Sequence, residues 1–154
     1  MKGVYILVIM IEAPTEVKIK SLGHLTFQPG TWLYVGSAMG SGSTSLENRL
    51  RRHFRKEKTI YWHIDYLLSA NVKLPFAIWA ESPKHMECDL AQTISSSETF
   101  DLGPQRFGSS DCRKGCSAHI FKSNIDGPLD VILCQAFSRL GLQSHVTKDG
   151  VLRP

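Results

Sequence analysis

Apolar residues gather in runs whose length and period predict a mixed α/β chain. Residues 4–11 form an unbroken apolar run, which is typical of a strand buried on both faces of a sheet. Residues 17–20 alternate apolar and polar side chains, as a half-buried strand does. Two more β-rich runs cover residues 31–35 and 76–80. We therefore expect a sheet whose first strand lies centrally.

Helical spacing is clearest after residue 44. Leu46, Leu50 and Phe54 recur at every fourth position, and this spacing predicts a helix with one buried stripe. Thr44 with Glu47 forms a capping-box pattern, which indicates where this helix begins.

Three further helices are predicted, at residues 61–70, from Ser82-Pro83 onward, and at residues 129–140. At the start of the first, Trp62, His63 and Asp65 are either functional side chains or packing residues with a helix-start charge, and the sequence supports the two interpretations equally. In the second, Glu87 lies on the edge of the buried face. Residues 95–118 are polar and contain glycine, so we expect mostly loop there.

Composition favours a soluble globular protein. The chain has 154 residues, of which 42% are hydrophobic and 21% charged. These values suit a single domain over residues 1–154, with residues 122–154 packed on the rest. The apolar run at residues 4–11 is too short to cross a bilayer and lacks a signal-cleavage site. Four cysteines are too few for a disulfide framework at this length, so we expect a reduced, intracellular, cytoplasmic protein.

Basic residues are concentrated in the first predicted helix. The net charge is +4, and six of the 18 Lys and Arg residues fall within ten positions: Arg49, Arg51, Arg52, Arg55, Lys56 and Lys58. Such a run is either a solvated helix face or an electrostatic patch for a polyanion. Helical spacing places Arg49 and His53 on one edge of the buried stripe. The outward residues that can follow a nucleic-acid backbone are Arg51, Arg52 and Arg55.

Two tyrosines lie where predicted strands approach this helix. Tyr34 ends a β-rich run and is followed by Gly36-Ser37, which we interpret as a turn, while Tyr5 begins the first apolar run. Phosphodiester hydrolysis needs a base and a cation facing the phosphate. Tyrosine, with an ordinary pKa of about 10, acts as a base only beside cations or a metal. Arg49 supplies a forked phosphate donor, and Glu87 could hold a divalent cation.

Seven short motifs together give the chain a family resemblance. They are Gly3-Val4-Tyr5, Tyr34-Val35-Gly36-Ser37-Ala38, Arg49-Leu50-Arg51-Arg52-His53, Trp62-His63-Ile64-Asp65-Tyr66-Leu67, Glu87-Cys88, Phe107-Gly108-Ser109-Ser110-Asp111-Cys112 and Ser117-Ala118-His119-Ile120-Phe121. In this order the motifs resemble the GIY-YIG nuclease superfamily, and most closely its small stand-alone Uri-type branch. The sequence departs from typical members in an insertion at residues 12–30.

The resemblance implies a small α/β domain, with a central three-stranded antiparallel sheet flanked by helices. It also implies metal-dependent endonucleolytic cleavage of DNA with one Mg²⁺ or Mn²⁺ ion, and it leaves RNA open. No appended recognition domain is evident, so loops or a protein partner would supply specificity. By position it assigns water activation to Tyr5, phosphate contact to Arg49 and metal binding to Glu87. Further active-site positions match Tyr34, His53 and His63. The expected nucleic-acid contacts are Ser37, Arg51, Arg52, Arg55 and Lys56.

The cysteines leave a second interpretation open. The Uri-type branch usually has two cysteines separated by one residue, whereas Cys112 and Cys116 are separated by three. With His119 they suit zinc, whose fourth ligand would come from Asp111, Cys88 or a distant histidine. The alternative is a loop ordered by hydrogen bonds from Ser109, Ser110 and Asp111. Two rival functions follow: a nucleic-acid-binding module of the same fold that does not cut, and a zinc-stabilised interaction domain.

Overall fold

Six antiparallel strands form the main sheet of the protein, seen in a computed structural model that describes residues 1–110, 112 and 114–153. In chain order the strands are β1 (Gly3–Ile11), β2 (Thr15–Ile19), β3 (Gly23–Phe27), β4 (Gly30–Ala38), β5 (Lys73–Glu81), β6 (Phe100–Leu102), β7 (Ile120–Ser123) and β8 (His145–Thr147). The α-helices are α1 (Leu46–Phe54), α2 (His63–Leu68), α3 (Glu87–Ser95) and α4 (Asp130–Arg139). Among the described residues, no helix has the length and apolar character needed to cross a membrane.

The first strand, β1, occupies the centre of the sheet, as its unbroken apolar run predicts. The strand order is β6-β7-β4-β1-β5-β8, and every neighbouring pair is antiparallel. The expected mixed α/β class and antiparallel sheet are therefore confirmed, but the expected number of three strands is wrong. The outer strands β6, β7 and β8 contain only three or four residues each. Runs this short are too brief for a periodic pattern to be recognised in the sequence.

Both faces of the sheet are covered, which explains why β1 is apolar along nearly its whole length. On one face Tyr5 and Leu7 pack with buried residues of α1, α2 and the hairpin formed by β2 and β3. On the other face Val4 and Ile6 pack with buried residues of α3 and α4. Successive side chains of a strand point to opposite faces. The alternation therefore brings Tyr5 to the face that carries the basic helix α1.

The insertion at residues 12–30 folds as a separate hairpin. Strands β2 and β3 pair only with each other, and Val17, Ile19 and Phe27 bury their side chains in the same core as Tyr5. The half-buried strand predicted at residues 17–20 is confirmed as β2. The insertion leaves the β1–β4 ladder unbroken from Gly3 opposite Ala38 to Ile11 opposite Gly30.

Two local predictions near the second tyrosine are wrong. Gly36 and Ser37 do not form a turn, because β4 continues through them and pairs them with Tyr5 and Val4. The cap of α1 is Ser45 rather than Thr44, and the Ser45 side chain accepts a hydrogen bond from the Asn48 amide at 3.3 Å. The chain thus reaches α1 one residue later than the capping-box pattern indicates.

The start of α3 is also later than predicted. The Ser82 hydroxyl donates to the Lys84 carbonyl at 2.8 Å, so Ser82 closes a local turn instead of capping a helix. The helix begins at Glu87, which becomes its first residue. The helix predicted at residues 61–70 is confirmed in the shorter form α2. The helix predicted at residues 129–140 is confirmed as α4.

Candidate active site

A cavity of about 500 Å³ lies between α1 and the start of α3. Its walls come from β1, β4, α1, α3 and the loop before β7. Six of the residues expected at a catalytic or binding site line it: Tyr5, Tyr34, Ser37, Arg49, His53 and Glu87. These residues are far apart in the sequence, so the fold itself brings them together.

Tyr5 and His53 form the buried floor of the cavity. The Tyr5 hydroxyl lies 2.7 Å from His53 Nε2, and the exposed fraction of each side chain is only 2%. Burial, with a smaller contribution from Tyr34, raises the pKa of Tyr5 well above its ordinary value. Burial also lowers the pKa of His53 to about 3. A neutral phenol therefore meets a neutral imidazole, and a proton can pass between them along one hydrogen bond.

Tyr34 stands beside this pair. Its ring centroid lies 6.5 Å from that of His53 and 6.3 Å from that of Phe107. Burial and then the charge of Glu87 raise the pKa of Tyr34 above its ordinary value. Gly108 has a φ of +73°, and a Cβ there would lie 2.8 Å from Tyr34 Cε1. Glycine at position 108 therefore leaves room for the tyrosine ring.

Arg49 is held in place on one side of the cavity. Its Nη1 donates to the Ser37 carbonyl, and its guanidinium lies over the Trp62 ring with Cζ 4.4 Å from the centroid. Its buried Nε has no hydrogen-bond partner among the described residues. The guanidinium is thus fixed in orientation while it retains N–H groups for an anion.

Arg52 pairs with a buried carboxylate. Two of its nitrogens donate to the two carboxylate oxygens of Asp65, each at 2.8 Å, and its Cζ lies 4.4 Å from the Trp62 ring centroid. The Asp65 side chain is completely buried. Burial favours its protonated form, but hydrogen bonds from Arg52 and from the Trp62 and Tyr61 amides lower the pKa of Asp65. Arg52 therefore does not point outward as expected, because it neutralises a buried carboxylate; its part in nucleic-acid binding stays a prediction.

Exposed basic residues remain around the C-terminal end of α1. Arg51, Arg55 and Lys56 are exposed to solvent, as the helical spacing predicts for the first two. Arg55 and Lys56 line a separate cavity together with Leu68 and residues 69–75. Their part in nucleic-acid binding stays a prediction.

His63 does not line the cavity. Its Nε2 lies 3.1 Å from the Ser21 hydroxyl, and its Nδ1 accepts a hydrogen bond from the Gly108 amide at 3.1 Å. Its ring packs 5.7 Å from that of Phe107. His63 therefore joins the β2–β3 turn to the loop that carries Gly108, and its predicted part in catalysis stays a prediction.

Glu87 forms the opposite wall of the cavity. Its Oε1 accepts a hydrogen bond from the Ser37 hydroxyl at 2.7 Å, and its Oε2 lies 2.6 Å from His119 Nδ1. Burial disfavours the imidazolium, but the carboxylate of Glu87 together with Cys112 outweighs this effect and raises the pKa of His119. Ser37 is buried and links Glu87 to Arg49, and its expected contact with nucleic acid stays a prediction.

Two further residues at the cavity were missed by the sequence reasoning. His85 Nε2 lies 3.4 Å from the Ser37 hydroxyl, and Lys114 reaches the cavity while its amine lies 3.5 Å from Asp89. Their sequence positions could have identified them, because His85 is two residues before Glu87 and Lys114 lies between Cys112 and Cys116.

Three cysteines and one histidine form a second group of ligating side chains beside Glu87. One donor atom from each of Cys88, Cys112, Cys116 and His119 lies within 4.8 Å of the others, so the group could hold a metal ion. Cys88, Cys112 and His119 also line the cavity. The group therefore shares a wall with the candidate active site.

The alternative of a loop ordered by serine hydrogen bonds receives little support. The Ser110 hydroxyl reaches the Arg106 carbonyl only at 3.4 Å, and the buried Ser109 hydroxyl has no hydrogen-bond partner among the residues described. Asp111, expected as a loop hydrogen-bonding residue or a fourth ligand, lies outside the described residues. Of the fourth ligands considered, Cys88 is the one that meets the other three.

Comparison with known proteins gives one match. A family model described as a domain of unknown function, DUF123, matches residues 4–142. No curated protein and no solved structure matches the chain. The matched range includes all the cavity residues and all four members of the cysteine–histidine group. Since the match covers most of its length, the chain belongs to the DUF123 family.

Proposed function

We propose that this protein is a GIY-YIG-type endonuclease that hydrolyses phosphodiester bonds in DNA with one Mg²⁺ or Mn²⁺ ion. The observation that supports this proposal is the shared cavity of Tyr5, Tyr34, Arg49, His53 and Glu87. The resemblance of the motifs to the superfamily rests on these same residues. A protein that only bound nucleic acid would need the basic surface, but it would not need a buried tyrosine–histidine pair facing a carboxylate.

The side chains fit a hard divalent ion at Glu87. Each of its two carboxylate oxygens has one neighbour, the Ser37 hydroxyl or His119, which leaves further lone pairs free. Mg²⁺ prefers oxygen ligands and retains several waters, so one protein carboxylate is sufficient to hold it. When bound, the ion would neutralise phosphate charge and acidify a coordinated water.

Tyr5 and His53 would remove the proton from the attacking water. Tyr5 can accept that proton only if its own hydroxyl proton moves to His53 Nε2, 2.7 Å away. The charge of Arg49 favours the tyrosinate, although burial opposes it more strongly. Burial lowers the pKa of His53 to about 3, so the imidazole would carry the water proton only transiently before releasing it to solvent, and Tyr5 remains neutral before and after the transfer.

Arg49 would hold the phosphate. Its contacts with the Ser37 carbonyl and the Trp62 ring fix the guanidinium before substrate arrives. Donors that are already oriented stabilise the charge that develops on phosphate oxygens in the transition state. The exposed residues Arg51, Arg55 and Lys56 would contact flanking phosphates without reading the sequence.

A cleavage assay tests the proposal. Wild type, Arg49→Ala and Glu87→Gln are incubated with labelled single-stranded, double-stranded and branched DNA and with RNA, in Mg²⁺, Mn²⁺ or EDTA. We expect metal-dependent cutting by the wild type and a loss of at least about 100-fold in each variant. The matched control is Arg139→Ala, an exposed arginine at the end of α4 on the other face of the sheet.

Three outcomes would overturn the proposal. Cutting in EDTA would exclude the metal, and full activity in either variant would exclude the assigned residues. Nucleic-acid binding without cutting in any condition would favour the non-catalytic module of the same fold. Circular dichroism of each variant checks that a loss of cutting is not a loss of folding.

A further inference from the structure

We propose that Cys88, Cys112, Cys116 and His119 bind one zinc ion, and that this ion fixes the orientation of Glu87 through His119. The zinc site does not depend on the proposed nuclease activity; only its effect on catalysis rests on that function.

The four donor atoms have the spacing of a tetrahedral site. Zinc bonds of about 2.0–2.3 Å to nitrogen and sulfur place tetrahedral ligand atoms roughly 3.3–3.8 Å apart. Cys88 Sγ lies 3.1 Å from Cys112 Sγ and 3.9 Å from His119 Nε2. All four donors lie within 4.8 Å of one another. Changes of about an ångström or less in side-chain position therefore complete the coordination sphere.

Separate parts of the fold deliver these ligands. Cys88 comes from the first turn of α3, and its side chain is buried. His119 directly precedes β7, where its amide donates to the Phe107 carbonyl at 2.9 Å and its carbonyl accepts from the Val35 amide at 2.8 Å. Cys112 and Cys116 come from the loop between β6 and β7. A helix and the main sheet thus hold two ligands in place, while the loop brings the other two.

The ligand chemistry favours zinc over other metals and over a disulfide. Three thiolates and one imidazole form a Cys₃His set, which is a common structural zinc site and a poor site for Mg²⁺. The separation of 3.1 Å between the Cys88 and Cys112 sulfurs exceeds a disulfide bond of about 2.05 Å, and both cysteines are free. A disulfide between these two would also leave Cys116 and His119 without a function in the cluster.

His119 connects this cluster to the cavity. Its Nε2 faces Cys88, and its Nδ1 lies 2.6 Å from Glu87 Oε2, an ion-pair contact whose angle falls outside hydrogen-bond geometry. A histidine that binds a metal usually presents its other ring nitrogen to a carboxylate or carbonyl, and this partner sets the ring orientation. The contact also orients the carboxylate, because zinc fixes the His119 ring and the ring in turn holds Glu87. The Ser37 hydroxyl at 2.7 Å holds the other oxygen.

Metal analysis tests the site directly. The full chain, purified without chelator, is analysed by inductively coupled plasma mass spectrometry alongside Cys88→Ser, Cys116→Ser and Cys134→Ser. We expect one zinc per chain in the wild type and in Cys134→Ser, because Cys134 lies on α4 outside the cluster. The two cluster variants should lose most of the zinc. A wild type with no bound metal, or with iron in place of zinc, would overturn the proposal.

Cobalt substitution gives a second measurement that does not depend on the variants being well folded. Wild type reconstituted with Co²⁺ should show the thiolate-to-cobalt charge-transfer and d–d absorption of a tetrahedral sulfur-rich site. The same spectrum is expected from Cys134→Ser. An octahedral spectrum without thiolate bands would contradict the assigned ligands.

Glu87→Gln tests the link between the two sites. Loss of a carboxylate that supports a metal-binding histidine typically weakens metal affinity by about 10–100-fold. We expect a zinc affinity at least about tenfold lower, measured by competition with a chromogenic chelator, and unchanged affinity would overturn the link. If the protein binds zinc and never cuts nucleic acid, the nuclease proposal fails and the zinc site stands. If the purified protein contains no zinc and still cuts, the zinc proposal fails and the nuclease proposal stands.

Discussion

The ring of Tyr5 lies directly over Gly36, its partner on the neighbouring strand. A Cβ on Gly36 would lie 2.6 Å from both the Cζ and the hydroxyl oxygen of Tyr5. The tyrosine of the motif Gly3-Val4-Tyr5 therefore requires the glycine of the motif Tyr34-Val35-Gly36. These two motifs form one structural unit across β1 and β4, although 31 positions separate Tyr5 from Gly36 and the insertion lies between them.

Gly36→Ala should displace the Tyr5 hydroxyl from His53. Overpacking of this kind costs about 1–3 kcal/mol of unfolding free energy, and a shifted base should reduce cleavage at least about tenfold. Urea denaturation and the cleavage assay measure the two effects. Gly141→Ala is the control, because Gly141 has a φ of +73° and a Cβ added there would meet no described atom within 4 Å, so the cost is backbone strain alone. Wild-type cleavage by Gly36→Ala would contradict the proposed position of Tyr5.

Acid should destabilise the protein through His53. Burial lowers the pKa of His53 to about 3, whereas an unfolded histidine titrates near 6.5. The unfolded chain therefore binds the proton first, and the contribution of His53 to stability falls as the pH drops from about 6.5 towards 3, by up to about 1.4 kcal/mol per pH unit. Between pH 6 and 4.5, His53→Gln should show a smaller loss of unfolding free energy than the wild type in urea titrations. Equal slopes for the two proteins would show that His53 is protonated in the folded state.

Neighbouring arginines of α1 should behave differently. Arg52→Ala leaves the buried Asp65 without its charge partner, so we expect a loss of about 3–5 kcal/mol in unfolding free energy. Arg51→Ala removes an exposed charge, and the unfolding free energy should change by less than about 0.5 kcal/mol. Arg51→Ala should instead weaken DNA binding, and the slope of log K against log salt concentration should become smaller by about one. Urea denaturation and filter binding at several salt concentrations distinguish the two variants. A stable Arg52→Ala protein would contradict the structural function of Arg52.

His63→Ala should weaken the fold more than the chemistry. It removes the contacts with Ser21 and Gly108 that join the hairpin turn to the loop. We expect a lower thermal midpoint, with cleavage retained within about threefold at a temperature where the variant is folded. His53→Ala, measured in parallel, should lose cleavage by at least about 100-fold. If both variants lost cleavage equally, His63 would belong to the chemical step.

The elements that the sequence predicts well are those with a long repeating pattern. β1 is recognised because nearly all of its residues are buried, and α1 because Leu46 and Leu50 repeat at helical spacing. The start of α3 is misjudged because Ser82 satisfies its hydrogen bond in a local turn. Sequence spacing identifies such start signals, but it does not reveal which of them a helix actually uses.

The sequence predicts which residues form the candidate site better than it predicts what each of them contacts. The basic run identifies Arg49 and Arg52 alike, but only the fold shows that a buried carboxylate 13 residues away neutralises Arg52. Cys88 appears in the sequence as one of several candidate ligands, 24 positions before Cys112. Contacts over such separations depend on the packing of α2 against α1 and of α3 against the loop before β7, which no local pattern encodes.

The hairpin inserted between the two tyrosine-bearing strands leaves the sheet at Ile11 and returns at Gly30, and these two residues pair with each other. Because the excursion begins and ends on one rung of the ladder, its length can change without shifting Tyr5 against Gly36. Evolution could therefore enlarge, shorten or replace this hairpin as an independent module. Its tip approaches the loop next to the cavity through Ser21 and His63. The loop next to the cavity can then vary with the hairpin while the register of Tyr5 and Gly36 stays constant.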